Sequence, residues 1–287
     1  VGHADRPIRN TRVQRRARQS PPSFDLTAFL PAADAYLSEG GLVHEGLIST
    51  RLGLPGIPEA AETVAVARDV ALAEQTGARI HFRGLSTARG AAMLAEARAR
   101  GVPATADVSA HQLILTEHAV AEFCANAHVI PPLRTEADRA ALCAAVARGD
   151  IAAICSDHQP HEQDAKLDPF PQTMPGISAL ETLLALVLEL VDDGVLDLSR
   201  ALACLTSEPA AIIGRQLGRL EPGAVADVCI FDPDERWRPT AETLLSSGLN
   251  TPFLDTELKG RVRWTLFGGR VVFASAAPAQ GRPRTWT

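Results

Sequence analysis

Aromatic residues are scarce in this chain: one Tyr, three Trp and nine Phe stand among 287 residues. A basic excess is missing as well, since the formal net charge is −6 and both signs are scattered along the chain. Without a basic face or a supply of stacking rings, the chain has neither the phosphate-neutralising surface nor the base platforms of a nucleic-acid binder. Long apolar runs are also lacking. The longest, 183–191, is interrupted by Glu189 and falls well short of the roughly 20 residues that span a bilayer. The expectation is a soluble chain with neither a nucleic-acid nor a membrane partner.

The five cysteines, at 124, 143, 155, 204 and 229, form no C-x-x-C pair, and several sit in apolar segments where a thiol packs as a small hydrophobe. Reduced thiols and a cytoplasmic setting follow. The N-terminus has no secretory apolar region, but Arg6, Arg9, Arg12, Arg15, Arg16 and Arg18 crowd it. Such an acid-poor, Arg-rich start reads either as a transit peptide or as the solvated face of a helix. The remaining composition, 46% hydrophobic and 22% charged, is that of a globular chain with material for one large core or two smaller ones.

Against this background one stretch concentrates chemistry. Ile151-Ala152-Ala153-Ile154-Cys155 is a short apolar run, and it breaks into Ser156-Asp157-His158-Gln159-Pro160-His161. A run bounded by Gly149-Asp150 and Pro160 reads as a buried strand with Asp157 at its C-terminal end, where barrels and open α/β sheets carry their sites. Asp157 with His158 and His161 could bind a metal, take a proton from bound water or hold an anion; a polar loop capping a strand is the plain alternative. Cys155 beside this carboxylate has no setting that would lower its pKa.

Along the chain, strand signals at 24–30, 79–82, 102–108 and 128–130 alternate with helical spacing at 58–75, 87–101 and 135–149. Gly77, Gly101 and Gly149 suit helix ends, Thr135 with Asp138 a capping pair, and Thr116-Glu117-His118 a short helical start. Ser178 with Glu181 reads as a capping box for a helix reaching Val191, and Ser199 as the cap of the next one. Such alternation implies parallel strands with crossover helices, but too few units for a closed barrel. From Gly218 the pattern changes to strands at 225–231 and 262–273, with Gly268-Gly269 as a hairpin turn. The division expected is 1–217, a β/α unit; 218–273, a β module; and 274–287, a loose tail.

Several stretches together resemble the dihydroorotase branch of the amidohydrolase superfamily. They are Gly53-Leu54-Pro55-Gly56-Ile57-Pro58 with Glu62 and Arg68, Ser86-Thr87, Pro131-Pro132-Leu133-Arg134 with Asp138-Arg139, Asp157-His158-Gln159-Pro160-His161, Pro175-Gly176-Ile177-Ser178, and Asn250-Thr251-Pro252-Phe253 with Lys259-Gly260. The resemblance implies a (β/α)8 TIM-type barrel, present here in part, with a C-terminal β module, a place in pyrimidine synthesis, and a zinc site that hydrolyses a cyclic amide. Carried over by residue, it makes Asp157 metal ligand and general base, and His161 a contact for the substrate carboxylate. Other family positions have lost their donors. A ligand histidine falls at Pro31, with Asp34 keeping only the last residue of that segment; another falls at Gly84, although His81 nearby is kept; the substrate Asn falls at Ile130; and the bridging-carboxylate segment falls at His3-Ala4-Asp5. The H-x-H-x-R motif of active members does not occur.

Two readings follow from the resemblance. One is a non-catalytic dihydroorotase-like subunit that binds little or no zinc and supports aspartate carbamoyltransferase in a larger oligomer. The other is an active zinc-dependent dihydroorotase, allantoinase or hydantoinase, with Asp157 as base and His3, His81 and His158 as unfamiliar ligands. His111 reads as a hydrogen-bonded structural histidine, and His44, His118 and His128 as loop or surface residues.

Overall fold

The computed structural model describes residues 2–3, 6–7, 10–19 and 26–275. Strands β1 (Gly2–His3) and β2 (Arg6–Pro7) pair antiparallel ahead of helix α1 (Thr11–Arg18). The Asn10 side chain caps α1 by accepting from the Arg12 and Val13 amides. Arg12, Arg15 and Arg16 face solvent, while Arg18 turns inward to Asp69 at 2.7 Å.

Strand β3 (Thr27–Pro31) opens the β/α unit. Short strands β4 (Val43–His44) and β5 (Gly56–Ile57) pair on either side of α2 (Leu47–Leu52). Then follow α3 (Ala60–Thr76), β6 (Arg79–Arg83), α4 (Ala88–Ala99), β7 (Ala104–Ser109), α5 (Ala110–Ile114), α6 (Glu136–Arg148) and β8 (Ala153–Cys155). Helices α7 (Leu183–Asp192), α8 (Leu198–Leu205) and α9 (Ser207–Ile212) lead to the antiparallel strands β9 (Val228–Trp237), β10 (Leu258–Phe267) and β11 (Arg270–Ala274).

Strands β3, β6, β7 and β8 form one parallel sheet in chain order. The two faces of this sheet differ. Ala28, Leu30, Ile80, Phe82, Ala104, Ala106 and Val108 are buried in the same apolar cluster as side chains of α3, α4 and α6. The alternate positions are mostly polar and stand in lateral register: His81 beside Thr105, with Phe29 on its other side, and Ser109 beside Cys155. Because side chains alternate along a strand, this second face gathers the chemistry at the C-terminal strand ends.

Local signals account for much of this. Gly77 and Gly149 end α3 and α6 at φ +68° and +82°, a conformation glycine adopts without strain. Thr135 and Asp138 make the expected reciprocal cap of α6. Gly268-Gly269 turns the β10–β11 hairpin, with Phe267 opposite Arg270.

Other expectations fail. The stretch 128–130 is not a strand; a 3-10 turn, Ala125–Ala127, precedes it and the chain then runs to Pro131 without ladder partners. Ser178 and Glu181 do not cap α7, which begins after Thr182 with no side-chain cap. Ser178 instead meets the Ser246 hydroxyl, and the Glu181 carboxylate accepts from the Leu245 and Ser246 amides. Asp197, not Ser199, caps α8 by accepting from the Arg200 amide. The first two residues of the 24–30 strand and most of the tail from 274 lie outside the described residues.

Candidate functional site

A cleft of about 650 Å3 opens at the C-terminal ends of the four parallel strands. Each strand delivers residues to it: Phe29 and Pro31 from β3, Arg83 and Gly84 at the end of β6, Asp107 and Ser109 from β7, and Cys155 to Gln159 at the end of β8. Ile130, Pro131 and Pro132 add an apolar wall. Pro31, Gly84, Ile130 and Asp157, far apart in sequence, therefore meet in one place.

Asp157 sits at φ +46°, an uncommon conformation for which Asp and Asn are the most tolerant non-glycine residues. Its Oδ1 accepts from the Gln159 amide at 3.2 Å. Burial raises its carboxyl above the ordinary range and Asp107 adds to the effect, while the Gln159 bond and the Arg83 charge oppose it.

Asp107 was not signalled as a site residue by the sequence, and it is the hub of the polar face. Its Oδ2 accepts from His81 Nε2 at 2.9 Å, and its Oδ1 accepts from the Gly84 amide at 2.7 Å and from the Cys155 thiol at 3.4 Å. His81 Nδ1 faces the Thr105 hydroxyl at 2.8 Å, so both ring nitrogens of this buried histidine are engaged. Burial, together with Asp107 and Asp157, pushes the Cys155 thiol well above its usual range, which leaves it a poor nucleophile.

His158 lines the cleft beside Asp157. Its Nδ1 accepts the Ala179 and Leu180 amides, each at 3.1 Å, which puts the ring proton on Nε2. His161 is not part of the cleft lining: its Nε2 donates to the Pro175 carbonyl at 3.0 Å and its amide to Asn250 Oδ1 at 2.9 Å. Asn250 also donates to the Gln159 and Gly176 carbonyls, so one buried amide pins both segments to the Asp157 loop.

The motif pieces at 62, 86–87 and 134 converge at the wall of this cleft, where Glu62 and Arg134 are part of the lining. The buried Glu62 carboxylate accepts from the Ser86 amide and hydroxyl at 2.8 and 2.6 Å, and from the Thr87 amide and hydroxyl at 3.0 and 2.6 Å. It stands at the N-terminus of α4, where the helix dipole favours a negative charge. Burial nevertheless raises its pKa against those bonds and the nearby Arg134. Arg134 donates to the Ser86 hydroxyl, the Ile57 carbonyl and His44 Nδ1. Asp34 pairs with Arg68, which also reaches Asp69.

Three of the other histidines depart from their sequence readings. His44 lies in β4, half-buried against Arg134. His128 is buried, stacked on Phe170 at 4.7 Å, and burial lowers it to about 4. His111 is buried with no hydrogen-bond partner at either ring nitrogen among the described residues, and burial lowers it to about 4 too. His118 is exposed, as expected.

Residues 37–272 match the amidohydrolase family. The chain belongs to that family. It is 50% identical over 270 residues to a dihydroorotase-like protein of Pseudomonas putida, an overlap of 94% of this chain and 63% of that protein. It is 42% identical over 275 residues to a dihydroorotase of Geobacter sp. strain M21, covering 95% and 65%. These relatives accord with the dihydroorotase branch. L-hydantoinase (dihydropyrimidinase) from Arthrobacter aurescens superimposes with a TM-score of 0.81 at 20% identity, over 95% of this chain and 62% of that one, a likeness of fold. The chain thus spans less than two thirds of the length of these relatives.

The zinc implied by the resemblance can be tested against this amidohydrolase's donors. Among the described residues no three His, Cys, Asp or Glu side chains are grouped as a metal ion requires. Pro31 and Gly84 have no side-chain donor, and both His81 nitrogens are engaged by Thr105 and Asp107. The side chain of His3 lies outside the described residues. The described residues do not by themselves fit a catalytic zinc, and no reaction step through one follows from them.

Among the described residues no helix is long and apolar enough to cross a membrane.

Proposed function

We propose that this chain is a non-catalytic dihydroorotase-like subunit of pyrimidine synthesis, with a degenerate metal site, whose partner is aspartate carbamoyltransferase. The observation that carries the reading is the convergence of Pro31, Gly84, Ile130 and Asp157 in one cleft. Of these four positions gathered in the cleft, two lack any polar side-chain atom because they are Pro and Gly, and a third is Ile. Asp157 alone keeps a donor. A lone carboxylate lacks the three protein ligands that lower the pKa of bound water to about 7.

The contrast between retained and lost residues supports the same reading. Glu62, Ser86, Thr87, Arg134, Asp138 and Asn250 tie α3, α4, α6 and the Asp157 loop together. A protein kept for its shape and surface retains such bonds whether or not chemistry persists. The alternative, an active zinc-dependent cyclic amidase with Asp157 as general base, requires ligands from outside the described residues.

Co-expression with aspartate carbamoyltransferase from the same source, followed by size-exclusion chromatography, tests the partner. The reading expects one mixed oligomer of high mass. Separate elution at micromolar concentration counts against it.

A further inference from the structure

The cleft keeps polar groups that no protein contact satisfies, and their signs are opposite. Among the described residues Arg83 makes neither a hydrogen bond nor an ion pair, although its charge is felt at Asp157. Among the described residues the Asp157 carboxylate is bonded only to the neutral side-chain amide of Gln159. The two are close enough to interact electrostatically but do not form an ion pair, so space separates them within the cleft. His158 adds a donor: its Nδ1 is taken by two backbone amides, and its Nε2–H makes no hydrogen bond among the described residues. Phe29, Ile130 and Pro131 supply an apolar part of the wall, while Asp107, Glu62 and Arg134, which also line it, are engaged by protein partners.

The exposed Arg83 guanidinium and the His158 N–H can both serve an anionic acceptor, and a half-buried carboxylate that meets no cationic partner among the described residues calls for a cation. One small molecule carrying both charges meets the two demands. A simple anion would leave Asp157 uncompensated and would be repelled by Asp107. A simple cation would leave Arg83 unused.

We propose that the cleft binds an α-amino acid zwitterion with an apolar side chain, its carboxylate on Arg83, its ammonium on Asp157, and its side chain against Phe29 and Ile130. This ligand involves no hydrolysis and no metal, so the assignment stands apart from the subunit role proposed above. A cleft of about 650 Å3 has room for a leucine-sized molecule.

Isothermal titration of the 287-residue chain tests the proposal, with L-leucine, 4-methylpentanoate (the same skeleton without the amine) and 3-methylbutylamine (without the carboxylate) as probes. L-leucine is expected to bind with a dissociation constant below millimolar, and each analogue at least about tenfold more weakly, since each lacks one charge-assisted contact. Arg83→Gln and Asp157→Asn should each weaken L-leucine by at least about tenfold. Arg83 is exposed, so its variant should fold and can carry the test alone if Asp157→Asn melts early. The proposal is overturned if L-leucine gives no saturable heat at millimolar concentration, if 4-methylpentanoate binds as tightly, or if Arg83→Gln leaves L-leucine binding unchanged.

Discussion

Replacing Glu62 by Ala is the sharpest test of the network in the cleft wall. The side chain is 2% exposed, and its carboxylate satisfies the buried amides of Ser86 and Thr87 together with their hydroxyls. The hydroxyls retain other partners: Ser86 Oγ still accepts from Arg134, and Thr87 Oγ1 from the Gly90 amide. The two amides do not. A buried donor left unsatisfied costs about 1–3 kcal/mol, and the deleted atoms leave a small cavity. Relief of the buried carboxylate's own desolvation offsets part of this, so the net loss should be about 3–5 kcal/mol. That is a large fraction of the roughly 5–15 kcal/mol that holds a domain folded. Glu62→Gln should lose less, about 1–3 kcal/mol, because the amide oxygen can still serve one pair of donors. The exposed Glu136, paired with Arg139 one turn away, is the control, and its Ala variant should change stability by less than about 0.5 kcal/mol. Urea unfolding followed by circular dichroism gives the values. A Glu62→Ala loss below about 1 kcal/mol would refute the reasoning, since it would mean that the Ser86 and Thr87 amides find other acceptors at little cost.

Gly90→Ala should be destabilising by about 1–3 kcal/mol in the same assay, because a Cβ there would collide with Glu62 Oε1 and come within 2.9 Å of Thr87 Oγ1. His111→Leu should flatten the acid limb of the stability curve. Burial lowers His111 to about 4 in the folded chain, so its neutral form is fully compatible with folding above the unfolded value of 6.5 and stability is lost as pH falls from there toward 4. At about pH 5 the leucine variant should gain on the order of 2 kcal/mol more than at about pH 8. A gain independent of pH would show that this histidine does not contribute through its charge.

The elements with local causes were legible in the sequence. Gly77, Gly149 and the Thr135–Asp138 cap act within a turn of their own helices, so spacing alone reveals them. Glu181 misled because its carboxylate is claimed by the amides of Leu245 and Ser246, more than sixty residues away. His128 misled in the same way: only the fold shows that Phe170 and Thr173 enclose it. Within the site, Asp157 stood out through its neighbours His158 and His161. Asp107 did not, because Ala104–Ser109 reads as an unremarkable strand until register sets it between His81 on one side and Cys155 on the other. The one sign available was an acid at an inward position near a strand's C-terminal end. His161 shows the converse, as a motif residue whose ring is held by the Pro175 carbonyl outside the cleft lining.

The proposed non-catalytic role requires that the cleft where Pro31, Gly84 and Asp157 meet does not organise a metal for hydrolysis. Zinc content by elemental analysis, measured with dihydroorotate hydrolysis on the same purified protein after incubation with zinc, tests it directly. Well under one zinc per chain is expected after desalting, with no turnover above background and Asp157→Ala indistinguishable from the parent. One tightly held zinc per chain, with turnover that disappears in Asp157→Ala, would contradict it.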